Sequence, residues 1–112
     1  MMIATTEDQD ELILENTTTL KVARWWDKAC DIIPCNGGKD IGIQKILNYF
    51  NFNKEEAMAF GDGGNDISML KYVGTGVAMG NAKDDVKAIA DYITDSVQED
   101  GIVSALKHFD IL

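Results

Sequence analysis

An α/β fold, with a parallel sheet joined by helical crossovers, is what this 112-residue sequence predicts. Three observations lead there. From residue 37 onward, short apolar runs at 57–60, 77–79 and 92–94 alternate with stretches whose apolar residues recur at helical spacing. Each run is followed by Gly or Asp, residues that turn a chain. The run Ala57-Met58-Ala59-Phe60 leads straight into Gly61-Asp62-Gly63-Gly64-Asn65-Asp66 and then Ile67, Met69 and Leu70, which reads as strand, loop and helix.

The elements follow in order. Residues 1–20 are polar, acidic and Thr-rich (Thr17, Thr18, Thr19), broken by the apolar Leu12-Ile13-Leu14, and read as an N-terminal tail. Residues 20–26 alternate as a strand, Asp27-Lys28 supplies a turn, and residues 29–33 return as a second strand. Trp25 and Trp26 are expected to pack a sheet face. Pro34, the only proline, ends the hairpin. Asn36-Gly37-Gly38 is a flexible joint, and it divides the chain into residues 1–36 and 37–112.

Beyond the joint, Ile43, Ile46, Leu47 and Phe50 mark a helix over 40–51. The strand 57–60 and the acidic turn come next, then a short helix over 66–73 with Ile67, Met69, Leu70 and Val73 as its apolar residues. Gly74-Thr75-Gly76 turns the chain into the strand 77–79. Asn81 is expected to N-cap a helix that begins with the acidic Asp84-Asp85 and buries Val86, Ile89 and Ala90. A third strand covers 92–94. Ser96-Val97-Gln98-Glu99 has capping-box spacing, and Ile102, Val103, Leu106 and Phe109 line the last helix, with His108 exposed near its end.

Composition narrows the function. A hydrophobic share of 46% supports a compact core. The net charge of −9, from 10 basic and 19 acidic residues, argues against a nucleic-acid surface, which needs clustered Lys and Arg. No apolar stretch approaches the roughly 20 residues of a spanning helix, so no membrane partner is expected, and no signal peptide is visible at the N-terminus. Cys30 and Cys35 have four residues between them, matching neither a redox pair nor half of a zinc site. They read as reduced thiols in a cytoplasmic protein.

Asp62 and Asp66 carry the chemistry. Both stand at the carboxyl end of a buried strand, where open α/β sheets place ligands. Their oxygens suit a hard cation, Mg²⁺, that keeps several waters and shares ligands with a phosphate. The plain alternative is an N-cap and a turn acid. Two adjacent glycines and the neutral hydrogen-bonding Asn65 favour a ligand site instead. Lys39 opens a helix, where its charge opposes the macrodipole, so helix stability does not explain it. It is suited to hold a phosphate or offset clustered carboxylates, against the plain alternative of a solvated lysine.

Together these residues resemble a family. Gly38-Lys39, the helix that follows, Ala59 to Leu70, Val77-Ala78-Met79-Gly80-Asn81-Ala82, Ala90-Asp91 and Glu99-Asp100-Gly101 are similar, in order, to the C-terminal part of Cof-type phosphatases of the haloacid dehalogenase-like superfamily. The resemblance covers about residues 29–112 and implies a partial Rossmann-like core over 37–112. Residues 1–36 become a tail plus the last hairpin of an α/β cap. The implied activity is Mg²⁺-dependent hydrolysis of small phosphorylated metabolites through an aspartyl-phosphate. Lys39 matches the lysine that holds nucleophile and phosphate. Asp62 matches the principal Mg²⁺ ligand, Asn65 a substrate-phosphate contact, and Asp66 a supporting acid that binds through water or orients the others.

The departures are as informative. The family's D-x-D-G-T nucleophile motif is absent: Asp8-Gln9-Asp10 has the spacing but is followed by Glu11-Leu12 and preceded by no strand. Asp40 stands where Gly is usual after the lysine. The chain alone is therefore expected to be inactive, and its half-sheet to self-associate or to be covered by residues 1–20. Two other readings compete: a non-catalytic metal- or phosphate-binding module completed by a partner, and the phosphorylation domain of a P-type ion pump, which the segment 77–82 fits less well.

Overall fold

The computed structural model describes residues 2–15 and 17–112 and resolves two three-stranded sheets. In the first, β1 (Met2–Ile3), β3 (Ala29–Pro34) and β2 (Leu20–Trp26) run antiparallel in that order. The register sets Lys21 opposite Ile33 and Ala23 opposite Asp31, so these four share one face. Val22, Arg24, Cys30 and Ile32 share the other.

Helix α1 (Asp10–Glu15) lies against that second face. Arg24 donates from Nε to Asp10 Oδ2 at 3.0 Å and from Nη2 to Thr5 Oγ1 at 3.0 Å. The hydrogen bond and charge of Asp10 hold the guanidinium still more firmly protonated. The segment read as a tail is thus a strand and a helix pinned to the hairpin. It forms part of the first sheet rather than a cover for the second. The register shifts between Arg24 and Trp26, and Trp25 and Trp26 are left 37% and 51% exposed instead of packing the sheet.

The second sheet is parallel: β4 (Met58–Gly61), β5 (Thr75–Ala78) and β6 (Tyr92–Ile93), in that order. Helices α3 (Ile67–Tyr72) and α4 (Asp84–Ile89) make the crossovers. Ala59, Leu70, Val73, Ala78, Ala82 and Val86 form the core. The strands expected at 57–60, 77–79 and 92–94 are all present within two residues, and the α/β class stands. Asp91 Oδ2 accepts the Gly76 N–H at 2.7 Å and ties the start of β6 to β5. Among the described residues no helix is long and apolar enough to cross a membrane.

Several local expectations give way. In α2 (Lys39–Phe50), Ile43 and Leu47 are half-buried, but Ile46 and Phe50 are each 60% exposed, because α2 packs mainly along α3 and only one side of it is covered. In α5 (Gly101–His108), the buried residues are Gly101 and Ala105, whose small size lets the helix approach closely, while Ile102 and Val103 face outward. His108 stacks on the Tyr92 ring at 4.2 Å. The capping-box sequence closes a 3₁₀ turn at Val97–Glu99, and α5 starts only after the left-handed Asp100 (φ 55°). Helix α4 is capped at Lys83, which frees Asn81 for another task.

The contacts that join the two halves include a surface ion pair and a close backbone approach. Lys83 Nζ donates to Asp27 Oδ1 at 2.8 Å across exposed surface, a pair worth little in water. The second is tighter: a Cβ on Gly64 would sit 2.5 Å from the Arg24 carbonyl oxygen. The acidic turn therefore rests directly on the β2 backbone, and only glycine fits there. Gly64→Val should cost about 1–3 kcal/mol, read as a lowered denaturant midpoint. An unchanged midpoint would mean that the two sheets do not meet at Gly64.

Candidate active site

The acidic turn leaves the carboxyl end of β4 and winds through a 3₁₀ turn (Gly64–Asp66) into α3. Asp66 is its anchor, only 5% exposed. Its Oδ2 accepts the N–H groups of Asp62 and Gly63, each at 3.1 Å, and its Oδ1 takes the ammonium of Lys39. Burial alone would raise the Asp66 carboxyl. The Lys39 ion pair and the two backbone donors outweigh it and hold the group below the usual carboxylate range. Lys39 is placed for this by Gly38, whose φ of 127° turns the chain sharply into α2. The helix-opposing lysine thus has its compensation in Asp66.

A depressed folded-state pKa has a definite linkage sign. The unfolded Asp binds its proton near pH ~3.9, the folded one at lower pH. The Asp66 contribution is therefore fully present above the unfolded value and is lost as pH falls through the folded value. Asp66→Asn should flatten the acid limb of a stability–pH curve below pH ~4. An identical acid limb in the variant would remove Asp66 from this role.

Asp62 is exposed, and its orientation is fixed from the far side. Asn81 donates from Nδ2 to Asp62 Oδ2 at 3.1 Å, while Asn81 Oδ1 accepts the Val97 N–H at 3.1 Å. The Met79 N–H to Gly61 carbonyl bond, 2.9 Å, holds the two loops in step. Sequence reading missed Asn81 by assigning it to a cap. The signal was available in its place directly after β5, at the same sheet end as Asp62. Asp40 donates nothing to the cavity chemistry; it accepts the Ser68 hydroxyl at 3.2 Å and fastens α2 to α3.

Two hollows meet at Lys39. A cavity of about 530 Å³ lies between the Lys21–Ile33 face of the hairpin and the turn, with Asn65 and Ser68 in its wall. A shallower one of about 350 Å³ runs past Phe60, Asp62 and Asp66 to Met79, Val97 and Ile102. Lys39, Asp62 and Asp66 are thus brought together, with Asn65 on the neighbouring cavity. Asp8 and Asp10 are not: Asp8 accepts from Thr6, and Asp10 is held by Arg24.

The donor set suits a hard cation in part. Asp62 offers a carboxylate open to solvent beside a neutral amide. Asp66 has both oxygens engaged, so it orients the turn rather than presenting a free ligand. Among the described residues no group of three or more His, Cys, Asp or Glu converges as a metal site. A Mg²⁺ ion that keeps most of its waters fits this set; a fully protein-caged ion does not.

Comparison with known proteins places the family and the fold. The family profile of haloacid dehalogenase-like hydrolases matches residues 2–106. YkrA of Bacillus subtilis (strain 168) is 42% identical over 106 residues, which cover 95% of this chain and 41% of YkrA. The 5-amino-6-(5-phospho-D-ribitylamino)uracil phosphatase YcsE of the same organism is 49% identical over 71 residues, 63% of this chain and 28% of that protein. A solved sugar phosphatase of haloacid dehalogenase subclass IIB matches with a TM-score of 0.94 at 45% identity, over 99% of this chain and 43% of that one. The chain spans less than half the length of each of these relatives.

Proposed function

The chain belongs to the haloacid dehalogenase-like hydrolases, and from that premise we propose that it is the C-terminal, metal- and phosphate-binding portion of a Mg²⁺-dependent phosphatase for small phosphorylated metabolites. One observation carries the reading: Lys39 is paired to the buried Asp66 at the end of β4, one turn from the open carboxylate of Asp62. Lys39 is the cation for substrate phosphate, Asn65 its neutral donor, and Asp62 the metal-facing carboxylate steadied by Asn81. Asp66 keeps Lys39 and the turn in place. When bound, Mg²⁺ would neutralise phosphate charge and favour attack at phosphorus. An aspartyl-phosphate requires an attacking carboxylate opposite Lys39; the D-x-D-G-T motif that supplies it in this family does not occur in residues 1–112. A cytoplasmic setting fits the two free thiols.

Mg²⁺ titrated into the intact chain should shift amide resonances at residues 61–66, and Asp62→Asn should lose most of that response. Equal shifts in both proteins, or shifts centred elsewhere, would remove Asp62 from the role.

A second reading, a module without catalysis that a partner completes, draws on the unpaired outer edge of β4. An in-frame D-x-D-G-T segment in the coding sequence upstream of Met1 decides for the enzyme.

A further inference from the structure

The ends of the three parallel strands are tied to one another in series. The Met79 N–H bond to the Gly61 carbonyl joins the loop after β5 to the end of β4. The Gly80 N–H donates to the Asp95 carbonyl at 3.0 Å and joins the same loop to the one after β6. The approach is close: a Cβ on Gly80 would stand 2.7 Å from the Ser96 amide nitrogen. The next residue, Asn81, is thereby held between Asp62 and the 3₁₀ turn Val97–Glu99. That turn is itself braced. The Gly101 N–H donates to the Ser96 carbonyl at 3.0 Å, and the buried Thr94 hydroxyl donates to the Gly101 carbonyl at 2.6 Å.

A primary amide has one donor end and one acceptor end. A carboxylate accepts and a backbone N–H donates, so a single orientation of Asn81 serves both partners: Nδ2 toward Asp62 and Oδ1 toward Val97. Without the Val97 N–H the amide is free to rotate, and its donor end is no longer aimed at Asp62. Both hydrogen bonds are exposed, so water can replace either one when the turn moves away.

We propose that Asn81 is a positioning residue that couples the Val97–Glu99 turn to the Asp62 carboxylate, so that the turn governs Mg²⁺ affinity and bound Mg²⁺ in return steadies the turn. The proposal rests on the metal-facing role given to Asp62 above and adds control of that carboxylate from the loop beyond β6.

Val97 offers a substitution that cuts the link alone. It is the first residue of its 3₁₀ turn, where proline fits, and Ser96 before it is extended (φ −68°, ψ 165°), as a residue preceding proline prefers. Val97→Pro removes the N–H and leaves Asn81 and Asp62 as they are. The test titrates Mg²⁺ into the full chain and follows amide shifts at residues 61–66. The proteins are the wild type, Val97→Pro, Asn81→Ala, their double variant and Asp62→Asn. Val97→Pro and Asn81→Ala should each weaken Mg²⁺ binding about tenfold, the usual loss when a residue that orients a metal ligand is removed. The double variant should be no weaker than Asn81→Ala alone, because both cut one link. Saturating Mg²⁺ should also slow hydrogen exchange of the wild-type Val97 N–H by a similar factor, since coupling is reciprocal. In Asn81→Ala that slowing should disappear. The proposal is overturned, with the metal site intact, if Asp62→Asn loses Mg²⁺ while Val97→Pro binds as the wild type does, or if the two losses multiply in the double variant. A Val97 exchange rate indifferent to Mg²⁺ overturns it as well. If Asp62→Asn binds Mg²⁺ like the wild type, the metal reading fails and this one with it.

Discussion

Incubated with Mg²⁺ and p-nitrophenyl phosphate, the 112-residue chain should hydrolyse the ester no faster than buffer does. The reason lies in the carboxylates around Lys39, none of which, Asp31 on the facing cavity wall included, stands in a D-x-D-G-T motif. Asp66 has one oxygen on the lysine ammonium and the other on two backbone N–H groups, which hold it in the turn. Asp62 is turned toward Asn81. Asp8 and Asp10, the only D-x-D pair with the nucleophile spacing in the N-terminal segment, sit beside Thr6 and on α1 and are engaged there. Binding and charge neutralisation without a nucleophile leave a phosphatase short by ~10⁴-fold or more. Robust Mg²⁺-dependent turnover that Asp62→Ala abolishes would overturn this and bring Asp8 or Asp10 back as the attacking group.

How much of this was legible in the sequence depended on whether the cause was local. The strand–turn–helix at 57–70 was legible because each choice is local: an apolar run, glycines where the chain must turn, and a helical apolar period after it. The Lys39–Asp66 pair was legible only as two separate anomalies, a lysine against a helix dipole and an acid in a buried turn; their meeting over 27 residues is a tertiary fact. Asn81 was misassigned because a cap and a carboxylate clamp demand the same side chain, and only the position of Val97 separates them. The N-terminal segment failed differently. Its two-residue strand is too short to show alternation, and α1 exposes Leu12 and Leu14, so neither period rises above its acidic background. The helix faces went wrong at Ile46, Phe50, Ile102 and Val103, where the apolar pattern is real but none of the described residues covers it.

Those uncovered residues lead to the second large effect expected: the chain should self-associate, with a stability that depends on concentration. Strand β4 is an edge of its sheet, so among the described residues its outer N–H and C=O groups have no strand to pair with. Ala59 and Gly61 on one side of it are buried, whereas Met58 and Phe60 on the other are only half-covered. Parallel sheets are normally packed on both faces. Val97 and Ile102, 57% and 48% exposed, extend the same apolar groove past Phe60. The N-terminal segment does not relieve this, because Met2–Ile3 is spent on β3. A single small core of this kind should supply no more than ~5 kcal/mol, and a second copy docked on the groove would add to it by mass action. Sedimentation should therefore show mass rising with concentration, and the melting temperature should rise with it. Ile102→Glu, at an exposed position, should leave the dilute-limit stability nearly unchanged and abolish the concentration dependence. A cooperative monomer whose melt ignores dilution would refute the assembly, and the open β4 edge would then have to be tolerated as it stands.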